Sequence, residues 1–229
     1  MRHQKWIIFG AGVVLLACTL FTAGCSSSNN AKVRLVNGSL DENSLDLLVD
    51  SSSKATGVAY GAASSYVSVS SGSHNLQAEP TGQTTSIASA TASVASKAFY
   101  TFMTLNCSSC GTAPVVFTDN NATPSSGNFS LRIINASPGL LAQDVYVLPV
   151  PNGGIDSVSP TYSSLGFGSA SAYSSQAAGN YEVFFASPGQ KAVNLDSGSL
   201  SFSAGQVRTV VALNAQAGGY EAEVLADLN

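Results

Sequence analysis

The sequence predicts an all-β protein made of two tandem immunoglobulin-like β-sandwich domains. Short segments alternate apolar and polar residues: Leu45, Leu47 and Val49 alternate with Asp46 and Asp50, a period of two that is typical of strands with one buried face. Turns rich in Gly, Pro, Asn and Ser separate roughly seven such segments in each half of the chain, and this spacing favours sandwiches. No stretch convincingly predicts a helix.

Residue pairs at nearly constant spacing indicate that the second half of the chain repeats the first. Residues 33–40, Val-Arg-Leu-Val-Asn-Gly-Ser-Leu, correspond to residues 131–138, Leu-Arg-Ile-Ile-Asn-Ala-Ser-Pro. At a spacing of 98 the matches are Arg34 with Arg132, Asn37 with Asn135, Asp46 with Asp144 and Val49 with Val147. At 107 or 108 they are Tyr60-Gly61 with Phe167-Gly168, Tyr66 with Tyr173, Gly72 with Gly179, Thr101 with Thr209 and Leu105 with Leu213. The jump in spacing predicts an insertion of about nine residues in the second copy, near Pro149 to Pro160, as a surface loop.

Composition sets the domain boundaries. Residues 119–128 hold Asn, Thr, Pro, Ser and Gly and nothing strongly apolar, which is typical of a linker. We therefore predict a signal peptide over 1–24, a polar tether over 25–31, a first domain over 32–119, a linker over 120–128 and a second domain over 129–229. The predicted core residues are Leu35, Leu47, Val49, Leu76, Phe99, Met103 and Leu105, with Ile133, Val145, Val147, Val183, Val207, Val211 and Leu213 in the second copy.

The first residues have the layout of a secretory signal. Arg2 and Lys5 form a positive start, residues 6–21 are an apolar run, and small residues follow. The run is shorter than the roughly 20 residues that a spanning helix needs. The following Thr22-Ala-Gly-Cys25 resembles the lipobox of bacterial lipoproteins, although Thr22 stands where Leu is usual.

That resemblance implies that Cys25 is the lipid anchor. Its thiol would receive a diacylglycerol, and the new N-terminus would be acylated, as with palmitate. Cys18 is a second candidate, disfavoured because it would leave an apolar mature start. A polar tether follows Cys25, and Ser26 implies, again by resemblance, the outer membrane of a cell with two membranes. We therefore expect a lipid-anchored protein of the cell envelope, facing the periplasm or the cell surface.

Charge excludes one class of partner. Of 9 basic residues, Arg2 and Lys5 lie in the predicted signal peptide, while all 13 acidic residues follow it. Charged residues make up 10% of the chain, against roughly 25% in an average protein. With no basic patch, we expect no nucleic-acid partner.

Three motifs of the second copy carry a family resemblance. They are Arg132-Ile-Ile-Asn-Ala-Ser-Pro138, Asp144-Val-Tyr-Val147, and a Phe167-Gly168, Tyr173, Gly179 series. They resemble a bacterial domain of unknown function, family 4397 (DUF4397), over residues 32 to about 226. The first copy departs from the motifs at Gly38, Leu40 and Leu48. The resemblance implies secreted or lipid-anchored envelope proteins and assigns no catalytic residue.

No motif predicts catalysis, a cofactor or a metal site. The chain has no Gly-x-Ser-x-Gly turn, no phosphate-binding glycine loop and no His-Glu-x-x-His pair. His74 lies in register with Leu76 and Ala78, so we expect a packed, partly exposed edge residue rather than a catalytic base. We therefore predict that the protein is not an enzyme.

Cys107 and Cys110 have CxxC spacing. Zinc would need two more soft ligands, and a redox role would need a helix N-terminus. The predicted oxidising compartment favours a disulfide between Cys107 and Cys110 that pins a turn.

Repeated charges predict pairs across strands. Calcium is one interpretation of Asp41, Glu42, Asp46 and Asp50. Only Asp46 has an acidic partner in the other copy, Asp144, and both follow a strand bearing an arginine. We therefore expect ion pairs on the solvent face, joining Arg34 to Asp46 and Arg132 to Asp144.

The function that the sequence favours is a non-catalytic structural or protein-interaction role in the envelope. The alternative is a ligand-binding or adhesion protein whose loops recognise a glycan or a surface protein. Six tyrosines could form a sugar-stacking platform: Tyr60, Tyr66, Tyr146, Tyr162, Tyr173 and Tyr220. The only tryptophan, which would suit such a platform, lies in the predicted signal peptide.

Overall fold

In a computed structural model of the chain, the structure describes Met1 and residues 29–107 and 111–228. All the regular secondary structure among these residues consists of β-strands. The first repeat contains β1 (Ala31–Gly38), β2 (Ser44–Val49), β3 (Ser52–Ala59), β4 (Val67–Val69), β5 (Gly72–Pro80), β6 (Ala88–Val94), β7 (Phe99–Cys107) and β8 (Gly111–Asp119). The second contains β9 (Asn128–Asn135), β10 (Gln143–Pro149), β11 (Tyr162–Leu165), β12 (Ser169–Ala170), β13 (Ser174–Ala177), β14 (Gly179–Ala186), β15 (Val193–Asp196), β16 (Leu200–Phe202), β17 (Val207–Asn214) and β18 (Tyr220–Leu228).

Each repeat forms its own pair of sheets. Sheet A has the order β4-β1-β7-β8 and sheet B the order β3-β2-β5-β6. In the second repeat, sheet C runs β12-β9-β17-β18, with β13 also on β9, and sheet D runs β11-β10-β14-β15, with β16 also on β14. The prediction of two tandem β-sandwiches is confirmed. The parallel pairs β1–β7 and β9–β17 lie inside sheets A and C, unlike the four-plus-three antiparallel arrangement of a constant-type immunoglobulin domain.

Each sandwich has a core between its two sheets. Leu35, Leu47 and Leu76 lie in the first core, and Ile133, Val145 and Val183 lie in the second. Of the fourteen residues predicted to be in a core, thirteen are buried. Phe99 is half-buried and packs edge-on against the ring of Tyr66.

Sheets A and C also pack against each other. The residues between them form a third apolar cluster, made of Val36, Met103, Leu105, Ile134, Ala136, Val211, Leu213 and Leu225. Neighbours such as Leu35 and Val36 point to opposite faces of a strand, and here both faces are buried. The four sheets therefore stack in the order B, A, C, D.

The insertion in the second repeat packs on the outer face of sheet D. Ile155 is buried beside Tyr146 and Phe184, and Val158 packs against the same cluster. Lys191 Nζ lies 4.7 Å from the centre of the Tyr146 ring and donates hydrogen bonds to the carbonyls of Ile155 and Val158. The insertion thus covers this face of the sheet, whereas the sequence predicts only a surface loop.

Candidate functional site

Two of the predicted site residues lie outside the described residues. Cys25 and Cys110 are in segments that the structure does not describe, and Cys107 is the last residue of β7. The lipid anchor at Cys25 and the disulfide between Cys107 and Cys110 therefore stay predictions.

Arg34 lies at the centre of a buried polar network between the two domains. Its guanidinium donates from Nε to Thr101 Oγ1 on the neighbouring strand β7, at 2.9 Å. Nη2 contacts Asp227 Oδ1 of β18 at 2.5 Å, and Nη1 donates to the Ala226 carbonyl at 2.8 Å. The arginine of the first domain is therefore held by the last strand of the second.

Arg132 makes the matching contacts in the opposite direction. Its Nε donates to Thr209 Oγ1 at 3.1 Å, and Nη1 donates to the Thr118 carbonyl of β8 at 3.4 Å. Nη2 lies 2.8 Å from Asp119 Oδ1, as an ion pair without hydrogen-bond alignment. Arg132 therefore binds the last strand of the first domain, and the two ion pairs cross the interface with approximate two-fold symmetry.

Tyr66 and Tyr173 complete the two halves of the network. The Arg34 guanidinium lies 4.8 Å from the Tyr66 ring centre and that of Arg132 lies 4.7 Å from the Tyr173 ring centre, the range for cation–π contact. The Tyr66 hydroxyl donates to Asp119 and the Tyr173 hydroxyl to Asp227. Burial raises the pKa of both tyrosines above the usual value, so both remain neutral donors.

The network is electrostatically closed. Arg34 and Arg132 are 1% and 2% exposed. Burial acts to lower the pKa of Arg34, but the charge of Asp227 acts against it and the net pKa is raised. Thr101 and Thr209 donate their hydroxyl protons to Asp119 and Asp227. Each carboxylate thus forms an ion pair with the arginine of the other domain and accepts a hydroxyl hydrogen bond from the threonine of its own, so the arrangement holds the two domains together.

The predicted ion pairs with Asp46 and Asp144 are wrong. Asp46 Oδ1 accepts hydrogen bonds from the Gly57 amide at 2.8 Å and from the Thr81 hydroxyl at 2.6 Å. Asp144 accepts from the amides of Ser164 and Gly189, at 2.8 and 2.9 Å. The register shifts at both positions, between β2 and β3 and between β10 and β11. These aspartates bind backbone amides at irregular points of sheets B and D, because the arginines face the other domain.

The true partners carried a signal in the sequence. Asp119 and Asp227 are separated by 108 residues, the same spacing as Thr101 and Thr209. Asp119 lies at the polar boundary between the repeats, as the last residue of the predicted first domain. The repeat spacing, followed to the ends of both copies, is sufficient to find this pair.

His74 is held between two acceptors at the end of sheet B. Its Nδ1 lies 2.7 Å from Asp50 Oδ2, and its Nε2 lies 2.9 Å from the Ser70 carbonyl and 3.3 Å from Ser70 Oγ. A nucleophilic serine needs a free lone pair on Nε2, but here that nitrogen faces a carbonyl oxygen. Hydrogen bonds from the Asn75 amide and His74 lower the pKa of Asp50. The arrangement fastens the turn between β4 and β5.

The six tyrosines do not share one surface. Tyr66 and Tyr173 stack on arginines between the domains, and the Tyr60 hydroxyl donates to the Asn214 carbonyl across the same interface. Tyr146 is buried under the insertion on sheet D. A shared sugar-stacking platform therefore has no counterpart in their arrangement.

A cleft of about 540 Å³ lies beside the interface, lined by residues 60–66 and 223–226. Gly61 packs closely against Glu223 in the wall of this cleft, since a Cβ on Gly61 would lie 3.2 Å from Glu223 Cγ. The φ of Gly61, +74°, also favours glycine. Among the described residues, no group of three or more His, Cys, Asp or Glu side chains could hold a metal ion. No helix within that part of the chain has the length and hydropathy to cross a membrane.

The comparison with known families identifies the repeats. The model of a domain of unknown function, DUF4397, matches residues 31–146 and again residues 131–229. The chain belongs to the DUF4397 family. The predicted resemblance is confirmed, and the two DUF4397 matches correspond to the two copies. The DUF4397 motif residues Arg132 and Asn135 thus have structural roles, since Asn135 Nδ2 donates to the Leu141 and Leu165 carbonyls.

No curated protein matches the chain. Among solved structures, it is similar to a family-26 carbohydrate-binding module from Eubacterium rectale, crystallised with maltoheptaose, at 10% identity over 87% of this chain and 98% of that one, with a TM-score of 0.29. A leucine-rich repeat protein from Bacteroides thetaiotaomicron matches at 11% identity over 79% of this chain and 25% of that one, with a TM-score of 0.20. At these TM-scores neither similarity bears on function.

Proposed function

We propose that this protein is a lipid-anchored protein of the cell envelope with a non-catalytic role, in which two DUF4397 domains act as one rigid interaction module. The observation that carries the proposal is the use of the repeated polar residues. Arg34, Arg132, Asp119 and Asp227 bind one another across the domain interface. Their charges are paired with each other between the domains. A connection of this kind fixes the position of the outer sheets B and D relative to each other.

The anchor rests on the sequence of the first residues. Thr22-Ala-Gly-Cys25 ends an apolar run, and the polar residues 26–30 follow before β1 begins at Ala31. A short tether of this kind holds the domains close to a membrane surface. Two or more acyl chains anchor a protein stably, at about 0.8 kcal/mol per buried CH₂.

The anchor is tested with Cys25→Ala and, as the matched control, Cys18→Ala, followed by membrane fractionation and mass spectrometry of the mature N-terminus. We expect Cys25→Ala to leave the membrane fraction and to lose the lipid mass. Cys18→Ala should keep both. A Cys25→Ala protein that stays in the membrane with an acylated N-terminus would refute the anchor.

The interaction role is tested separately, by pull-down on peptidoglycan, on polysaccharide and on purified envelope proteins, with turnover assays in parallel. Specific retention by one of these supports a recognition role. Turnover of a substrate by the pure protein would overturn the non-catalytic proposal.

A further inference from the structure

The two outer edge strands of the domain interface differ in one residue that matters for strand pairing. β8 ends sheet A and β18 ends sheet C. At the repeat spacing of 108, Pro114 of β8 corresponds to Ala222 of β18. Proline has no N–H and protects an edge against the addition of another strand. The edge of the first domain therefore carries this protection at a position where the edge of the second does not.

The same comparison shows which backbone groups of β18 point away from its sheet. Pro114 pairs with Thr104 within an unbroken ladder, so its nitrogen must face outward. Ala222 has the equivalent register with Ala212, so its N–H also faces outward. The Ala226 carbonyl, of the same parity, is taken by Arg34 from outside the sheet. Ala222 and Val224 therefore each present an N–H and a carbonyl to the outer edge of β18, which pairs with no other strand among residues 29–107 and 111–228.

The surroundings of this edge are suited to an extended chain. Tyr220 and Val224 are 37% and 38% exposed and lie on one face of β18. On the other face lie Glu221 and Glu223, beside the cleft of about 540 Å³ that residues 223–226 form with residues 60–66. Burial and the charge of Glu223 raise the pKa of Glu221, so a cation placed there relieves a repulsion.

We propose that the free edge of β18 binds an extended segment of a partner protein by β-strand addition. The segment alternates apolar residues, packed beside Tyr220 and Val224, with basic residues opposite Glu221 and Glu223. Main-chain hydrogen bonds to Ala222 and Val224 supply affinity, and the alternating side chains supply specificity.

A second copy of this chain fits the same edge poorly. Pairing β18 with another β18 brings Glu221 and Glu223 close to their own copies, and like charges on facing strands are destabilising. The occupant is therefore a different, basic segment. This inference rests on the proposed interaction role but not on the lipid anchor. The strand-addition proposal and the anchor proposal can therefore fail independently of each other.

The test compares the mature chain with its Ala222→Pro variant. Pro114 shows that this register accepts proline, so Ala222→Pro should keep the wild-type thermal unfolding midpoint while losing one outward N–H. A display library of random peptides of about ten residues, long enough for one strand, is selected on each protein. Enriched peptides are then measured by fluorescence anisotropy.

We expect the wild-type protein to enrich peptides that alternate apolar and basic residues, and Ala222→Pro to bind them at least about tenfold more weakly. Glu223→Lys, a change at an exposed position, should weaken the same peptides without affecting folding. Equal binding by wild type and Ala222→Pro, or no peptide enriched on the wild-type protein, would overturn the proposal. If Ala222→Pro unfolds, equal binding by Glu223→Lys overturns it instead.

Discussion

Arg34 and Arg132 are the residues on which the arrangement of the two domains depends. A guanidinium removed from water needs both an opposite charge and partners for its five N–H groups. Arg34 obtains these from Thr101, Asp227 and the Ala226 carbonyl. Two of these three partners belong to the other domain. The arginine is therefore satisfied only when the domains are together.

Replacement of Arg34 by methionine should destabilise the protein strongly. Methionine fills much of the same volume, but buried Asp227 loses its close ion pair with Arg34 and keeps only the longer contact of 3.9 Å with Arg132, at a cost of about 3–5 kcal/mol. Chemical denaturation measures the change in the free energy of unfolding. The control is Lys54→Met, at an exposed lysine, which should change it by about 0.5 kcal/mol or less. A loss from Arg34→Met as small as that of the control would contradict the role of the network.

At the scale of the strand, the sequence predicts where the strands lie better than it predicts what packs against each face of them. Alternation identified β2, where Leu45, Leu47 and Val49 are buried between more exposed residues. β1 is instead buried at nearly every position, since it lies in a sheet covered on both faces. Runs such as Leu35-Val36 and Ile133-Ile134 carry this signal, because strands buried on both faces are apolar without alternation.

The partners of the arginines could not be predicted in the same way. Asp46 lies close to Arg34 in the sequence, whereas Asp227 lies 193 residues away. Nothing in the local pattern says which sheet face meets another domain. Nearness in the chain therefore favoured the wrong aspartates, while the repeat spacing held the correct ones.

The insertion over sheet D should depend on Lys191. Its Nζ lies 2.8 Å from the Ile155 carbonyl and 2.5 Å from that of Val158, and Lys191→Met removes both hydrogen bonds. At about 1 kcal/mol each, their loss should speed amide hydrogen exchange within residues 152–160 by about thirtyfold. Lys54→Met is again the control. Unchanged exchange would mean that Ile155 and its apolar neighbours hold the insertion without the lysine.

At the scale of the molecule, the contacts between the two domains predict that they behave as one rigid body. Sheets A and C share an apolar cluster of eight buried residues, and the crossed ion pairs lie between the same two sheets. Tandem domains usually move relative to each other, because the interfaces between them are usually small and polar. This one is largely apolar, and its charges are paired. We therefore predict that an unbroken chain through residues 120–127, which contain no strand, is not needed to keep the domains in place.

Cleavage of that linker tests the prediction directly. A protease site inserted between Ala122 and Thr123, both exposed, allows the folded chain to be cut into two halves. We expect the halves to elute together in size-exclusion chromatography, because the cut removes neither the apolar cluster nor the ion pairs. Val36→Asp buries an unpaired charge in the apolar cluster between sheets A and C and should release the halves. Val150→Asp, at an exposed position, should not. If the cut wild-type halves separate at micromolar concentration, the linker holds the domains together and the rigid module does not exist.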